Sequence, residues 1–190
     1  MDDERARWNQ RYTTNLSIRE PSSLITELAS RLPDHGRALD VAGGSGRHAL
    51  WLAQRGLATT LVDVSDVALK QAQQAAQERG LHLETLQRDL ETEGPPPGAF
   101  DLIVISDYLH RPLIEMLARQ LVPAGMLLMV HPTLHNLERF ARPSARYLLG
   151  PGELAELIAA MPWLEMVCCD EGFRDDGRHV ARALVRKHES

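Results

Sequence analysis

The chain has 190 residues, of which 44% are hydrophobic, 25% charged and 5% aromatic, the composition of an ordinary folded domain rather than a disordered, collagen-like or coiled-coil chain. A single domain of that length buries roughly 70% of the surface its unfolded chain exposes, so it needs no metal or disulfide staple. The formal net charge of −5, with basic residues scattered along the chain, offers no general attraction for a phosphate backbone; it disfavours nucleic acid as a partner and leaves room for a small acidic molecule in a local basic pocket.

The chain opens on Met1-Asp2-Asp3-Glu4 with no apolar stretch behind it, and nowhere do about 18 uninterrupted apolar residues occur, which speaks against secretion and against a membrane partner and for a cytoplasmic protein. Residues 22–32 carry Leu24, Ile25, Leu28, Ala29 and Leu32 on one helical face and predict a helix packed on a sheet. Short apolar runs at 38–42, 59–64, 81–87, 100–106 and 126–130 read as buried strands. Between them lie helices at 47–55, 66–79 and 112–122, closed by Gly56, Gly80 and Pro123-Ala124-Gly125. Ser65 is placed as the N-cap oxygen of the second, and Pro112 sits in the first turn of the third. Strand and helix in alternation mean parallel pairing through right-handed crossovers, hence an open, doubly wound α/β sheet.

The tail differs. A helix at 153–160 is followed by strand-like runs at 164–169 and 179–186, too close for a crossover helix, so they predict an antiparallel hairpin. The expected fold is a single Rossmann-like domain over 1–190 with a seven-stranded, mostly parallel sheet and an antiparallel last strand, divisible into segments 1–36, 37–130 and 131–190. Gly94-Pro95-Pro96-Pro97-Gly98 is too short for a linker and reads as a stiff turn. Adjacent Cys168 and Cys169 cannot close a useful loop with each other and read as small buried hydrophobes in a reducing compartment.

The most informative stretch is Leu39-Asp40-Val41-Ala42-Gly43-Gly44-Ser45-Gly46-Arg47-His48-Ala49, which leaves the first strand, turns through glycines and starts a helix. Glycines admit positive φ and close approach of a ligand, and the helix N-terminus supplies unpaired N–H groups. A tight turn without a ligand stays open, and so does a dinucleotide cradle, since Gly44 to Ala49 match G-x-G-x-x-A. Two acids separate the cases. Asp63, 17 residues after Gly46, ends the second strand, where a carboxylate accepts both hydroxyls of a ribose. Asp40 stands at the mouth of the loop, where it would repel a pyrophosphate and suit a ligand bearing an ammonium and a sulfonium. S-adenosylmethionine is such a ligand.

From Leu39 to about Val130 the chain resembles the class I S-adenosylmethionine-dependent methyltransferases. The acidic-x-Gly-x-Gly-x-Gly motif of that family is Asp40-Val41-Ala42-Gly43-Gly44-Ser45-Gly46 here, with Ala42 in place of the first glycine. Arg88-Asp89-Leu90 matches the position after the third strand, Phe100 to Ser106 the fourth-strand motif, and Leu121 to Leu127 the turn into the fifth strand. The resemblance implies that Asp40, Ala42, Gly43, Gly44 and Gly46 surround the methionine end of the cofactor, Asp63 and Val64 the ribose, Asp89 and Leu90 the adenine, and that Ser106 lies near the reacting centre. Trp8-Asn9-Gln10-Arg11-Tyr12 resembles the W-x-x-R-Y opening of small bacterial methyltransferases of the tellurite-resistance and thiopurine type. That likeness implies that Trp8, Arg11 and Tyr12 in the 1–36 segment cover the cofactor.

Methyl transfer from a sulfonium is an in-line displacement, which needs a base only when the acceptor atom does not readily lose its proton. Tyr108 and His110, after the fourth strand, are the candidates, with His110 the first choice; a helix-start histidine and a pocket-wall tyrosine with its hydroxyl exposed are the alternatives. His131 and His135, after the fifth strand, are placed to flank the substrate; Pro132 between them and the lack of a third ligand disfavour a metal site. Arg139, Arg142 and Arg146 form a basic stretch that is either a lid gripping an acidic substrate or a solvated connector. His35, His48, His82, His179 and His188 suggest no site. The resulting expectation is methyl transfer from S-adenosylmethionine to a small molecule, leaving S-adenosylhomocysteine. The rivals are an NAD(P)-binding oxidoreductase and a non-catalytic cofactor-binding module.

Overall fold

Seven strands form one sheet in the computed structural model, which describes residues 2–15 and 17–189. The order is β3-β2-β1-β4-β5-β7-β6. Strands β1 (Arg37–Val41), β2 (Ala58–Asp63), β3 (Leu83–Gln87), β4 (Phe100–Ser106) and β5 (Leu121–Pro132) run parallel. The last two, β6 (Leu164–Phe173) and β7 (His179–Lys187), form the hairpin, with β7 antiparallel to both β5 and β6. The chain moves outward from β1 to β3 and then returns to the other side of β1, so the topological switch lies between β1 and β4. In open α/β sheets that is where ligands bind, outside the carboxyl ends of the strands.

The continuous apolar runs of the central strands follow from burial on both faces. Leu39, Ile103, Ile105, Leu127 and Met129 join one core with Leu113 and Leu117 of α5 (Arg111–Arg119) and Leu154 and Ile158 of α6 (Glu153–Ala159). Ala38, Leu102, Val104, Leu128 and Val130 join the other with Leu24 and Ile25 of α2 (Ser23–Thr26) and Leu52 of α3 (Arg47–Gln54). A long helix, α4 (Asp66–Glu78), turns Ala68, Leu69 and Ala72 inward, and the Ser65 hydroxyl caps it by accepting from the Ala68 N–H at 3.1 Å.

Three expectations need correction, and one element was not foreseen. The helix predicted over 22–32 breaks into α2 and a short 3-10 turn at Ala29–Arg31. The Leu24 carbonyl, which a continuous helix would offer to Leu28, accepts instead from the Arg182 guanidinium at 3.0 Å, and the Leu28 N–H turns to Ile25. The helix predicted over 112–122 ends at Arg119, because Leu121 already pairs with Phe100 in the sheet. The register jump from Phe100↔Leu121 to Leu102↔Met126 bulges out Val122 to Gly125, with Ala124 at φ 61. The two cysteines are not both buried: Cys168 packs partly on the second core, whereas Cys169 is exposed on the edge strand β6. Finally, the polar opening of the chain is itself a helix, α1 (Asp2–Thr14). Among the described residues no helix is long and apolar enough to cross a membrane.

Candidate cofactor and acceptor site

At the carboxyl end of β1 the loop turns through three positive φ angles, at Ala42 (51), Gly44 (59) and Gly46 (81). Glycine answers two different needs there. A Cβ on Gly43 would run into the Asp40 carboxylate and Leu61, and one on Gly44 into the Tyr12 hydroxyl; at Gly46 it would lie 2.9 Å from the Ala72 Cβ. Ala42, standing where the motif has glycine, adopts the left-handed conformation all the same, which an L-residue enters at a cost of roughly 1–2 kcal/mol.

Asp40 is not at the mouth of the loop. Its side chain lies beneath it, 0% exposed, with Oδ2 accepting from the Ala49 N–H of α3 at 3.0 Å and Oδ1 without a partner. Burial pushes its carboxyl up to about 7, against the pull of the Ala49 N–H and Arg47. Asp63 ends β2 as expected and braces the loop: Oδ2 accepts from the Gly44 N–H at 2.8 Å and Oδ1 from the Ser65 N–H at 2.9 Å. Burial raises its pKa, and those two backbone donors oppose the rise. Each of its oxygens retains a lone pair for a further donor.

α1 lies across α4 beside this loop. Asn9 anchors it, donating to Asp66 Oδ1 at 2.8 Å and accepting from the Ser65 hydroxyl at 2.7 Å, while the Gln71 amide donates to the Tyr12 carbonyl at 2.9 Å. The Tyr12 phenol thereby covers Gly44, and burial with nearby Asp63 pushes it up to about 12. Trp8 stacks on Tyr12 with ring centroids 6.1 Å apart, and the exposed Arg11 lies over Trp8. Of the predicted opening residues, then, Tyr12 reaches the loop, Trp8 supports it and Arg11 braces Trp8. Asn9 was not singled out from the sequence, although it ties the segment down; the capping serine it binds was the available signal.

Along the rest of the sheet edge, Ser106 is buried with its hydroxyl unpartnered. Asp107 follows at φ 58, takes Arg47 at 2.9 Å and Arg178 of the hairpin at 3.6 Å, and donates its N–H to the Val130 carbonyl. The Tyr108 hydroxyl is buried and unpartnered, not exposed; burial and the carboxylates of Glu91, Asp89 and Asp63 raise its pKa, so it shares the corner with those acids and keeps its proton. Asp89 accepts from the Glu91 N–H at 3.1 Å, Leu90 is buried, and the Val64 carbonyl accepts from Gln87 at 3.3 Å. His110 precedes α5 without a side-chain cap bond and lines a cavity of about 320 Å³ with Glu91, Leu109, Arg111, Arg146 and Tyr147.

The 131–150 segment folds back along β5, Leu149 donating to the Pro132 carbonyl at 3.2 Å. His131 is buried against the Tyr147 carbonyl, and His135 pairs with Glu138 at 2.7 Å, so the two histidines are engaged separately. Arg139 lies over Phe173 and Arg146 over Tyr147, which fixes two of the three arginines on aromatic rings.

Residues 38–125 match the family described as a methyltransferase domain. A Bacillus subtilis (strain 168) protein, YqeM, a methyltransferase by name, is 34% identical over 123 residues, covering 60% of this chain and 49% of its own length. A Mycobacteroides abscessus protein named 2-heptyl-1-hydroxyquinolin-4(1H)-one methyltransferase is 32% identical over 101 residues, 53% of this chain and 44% of its own. The chain thus spans about half the length of these curated relatives. In fold it is similar to TehB from Haemophilus influenzae, with TM-score 0.72, 17% identity and coverage of 95% of this chain and 67% of that one. It is equally similar to the magnesium protoporphyrin IX methyltransferase ChlM from Synechocystis PCC 6803, with TM-score 0.74, 16% identity and 97% and 98% covered. Residues 38–125 thus match a methyltransferase domain, and the sheet that carries them has the fold of TehB and ChlM.

Proposed function

We propose that the protein transfers the methyl group of S-adenosylmethionine to a small-molecule acceptor. The observation that carries this reading is the pair of carboxylates around the glycine loop: Asp40 buried beneath it with one oxygen unpartnered, and Asp63 holding the Gly44 N–H. Asp63 suits the ribose of either nucleotide, whereas Asp40, once ionised, repels a pyrophosphate and favours a cationic ligand, which separates S-adenosylmethionine from NAD on the same fold. When bound, S-adenosylmethionine supplies a methyl carbon already activated by the sulfonium.

The residues of this chain then divide the work. Ala42, Gly43, Gly44 and Gly46 let the methionine end approach the backbone, and Asp40 lends it a negative charge. Asp63, beside Val64, offers its free lone pairs to the ribose hydroxyls, while Asp89, Leu90 and Tyr108 enclose the adenine. Tyr12, braced by Trp8 and Arg11, covers the cofactor from the 1–36 segment and excludes water from it. Ser106 faces the reacting centre, and residues 131–190 shape the acceptor side. His110 and Arg146 form the wall of the neighbouring cavity, where the arginine suits an acidic acceptor group. The free cysteines Cys168 and Cys169 support a reducing, cytoplasmic setting, and the net charge of −5 supports small molecules over nucleic acid as partners.

Calorimetric titration with S-adenosylhomocysteine, and in parallel with NAD, tests the reading. Micromolar binding of the first and none of the second is the expected result; silence from the first overturns it.

A further inference from the structure

Resting on the function proposed above, we infer that His131 is the acceptor-site base, and that the acceptor presents a hydroxyl whose proton passes to His131 Nδ1. The geometry assigns the tautomer. His131 Nε2 lies 2.7 Å from the Tyr147 carbonyl oxygen, which can only accept, so Nε2 carries the ring proton. Nδ1 is then a bare lone pair. It is buried without a partner in a side chain only 3% exposed, where an acceptor atom without a donor is anomalous.

The tautomer is held by a braced segment. Tyr147 donates to Ser144 at 2.9 Å, the neighbouring Leu148 carbonyl accepts from Arg111 at 3.1 Å, and Arg111 is paired with Glu153. The place is right as well. His131 lies at the carboxyl end of β5, tied to the end of β4 by the Asp107 N–H on the Val130 carbonyl at 3.0 Å, on the side of the sheet where α/β folds bind their ligands. His110, by contrast, precedes α5 half-exposed, and none of its contacts fixes which nitrogen carries the proton.

The charged groups that reach His131 are Asp107 at the end of β4, Arg111 of α5 and Glu153 of α6; burial outweighs them and keeps the ring neutral at neutral pH. In the step this implies, the acceptor oxygen forms its bond to the methyl carbon as the carbon–sulfur bond breaks with its electron pair on sulfur. The hydroxyl proton moves to Nδ1, leaving an imidazolium that returns the proton to solvent. An aromatic thiol such as thiophenol is already ionised near pH 8 and needs no such help, because the thiolate is the nucleophile.

Two measurements test this. The first is ¹⁵N NMR of the histidine rings in the wild-type protein at pH 7: His131 should show Nε2 protonated and Nδ1 bare, and a proton on Nδ1 overturns the assignment. The second compares wild type with His131→Gln, whose amide can still donate to Tyr147, in methyl transfer to a panel of phenols and N-hydroxyquinolones and to thiophenol. The hydroxyl acceptors should lose at least about 100-fold in kcat, in the range of general-base contributions, with a loss at least ten times smaller for thiophenol. Equal losses for both classes, or none for either, overturn the inference. So does a wild type that methylates thiophenol but no hydroxyl in the panel. If the wild type does not bind S-adenosylhomocysteine, the proposed function fails, and this inference with it.

Discussion

The Tyr12 hydroxyl sits directly over the Cα of Gly44, so close that a Cβ there would overlap it. One residue thus links the first helix to the turn that opens the proposed cofactor site. Gly44→Ala is expected to act twice, through left-handed backbone strain of about 1–2 kcal/mol and through displacement of the phenol from the loop. A lowered melting temperature and a roughly tenfold weaker affinity for S-adenosylhomocysteine should appear together in calorimetry. Adding Tyr12→Ala to the variant should restore none of the stability lost to φ, because that strain does not depend on the phenol.

The hold on α1 is polar rather than apolar. Among its described side chains Trp8, Asn9 and Tyr12 are half-buried, and the bonds of Asn9 to Asp66 and Ser65 carry the contact. Asn9→Ala should therefore loosen the helix by about 2 kcal/mol, the scale of hydrogen bonds that include a charged acceptor, without unfolding the sheet. Hydrogen exchange resolves this: residues of α1 should lose protection while those of β1 and β4 keep theirs. Uniform loss across both would show that α1 belongs to the global folding unit.

Much of this architecture was legible in the sequence because local signals and tertiary needs coincide. Apolar runs such as 100–106 are buried on both faces, and Ser65, Gly56 and Gly80 punctuate helices where the chain requires it. The misses share one physical cause, a partner distant along the chain. Residues 22–32 have a helical pattern, yet Arg182 takes the Leu24 carbonyl from 158 positions away. α1 is too polar to show a core-facing stripe and is held by a cap serine on another helix. Asp40 looks like a surface acid in the motif, but the start of α3 passes over it and supplies the Ala49 N–H. His131 could be placed only at the edge of the sheet; its lone free nitrogen depends on the Tyr147 carbonyl, which the returning segment brings to it.

Asp63 separates binding from architecture. Removing its carboxylate takes away the acceptor for the Gly44 and Ser65 N–H groups as well as the proposed ribose contacts. Asp63→Ala should weaken S-adenosylhomocysteine binding at least 10- to 100-fold, the worth of one or two charge-assisted hydrogen bonds, and lower the melting temperature. His110→Ala, which changes a separate cavity, should leave both unchanged. Wild-type affinity in Asp63→Ala would move the ribose elsewhere.

Asp40, in its proposed role, is expected to tie cofactor binding to pH. Its carboxyl is raised from 3.8 to about 7 by complete burial, so the folded chain holds that proton more tightly than the unfolded one. The sign follows from linkage: Asp40 costs the fold nothing below pH 3.8, costs progressively more as pH rises toward 7, and reaches a plateau of about 4 kcal/mol above it. Asp40→Asn, which keeps an acceptor for Ala49, should therefore melt higher than wild type at pH 8 and lose that advantage near pH 4. A cationic ligand reverses the balance, because the ammonium of S-adenosylhomocysteine favours the ionised carboxylate. Wild-type affinity should fall as pH drops from 8 to 6, with release of roughly half a proton per ligand bound at pH 7, a fraction set by a group titrating there. Asp40→Asn should bind more weakly and show neither the slope nor the proton. Calorimetry in buffers of different ionisation enthalpy reads the proton directly; a wild type that releases none has its ligand's charge beyond the reach of Asp40, and the acid then serves only to fasten α3 to the loop.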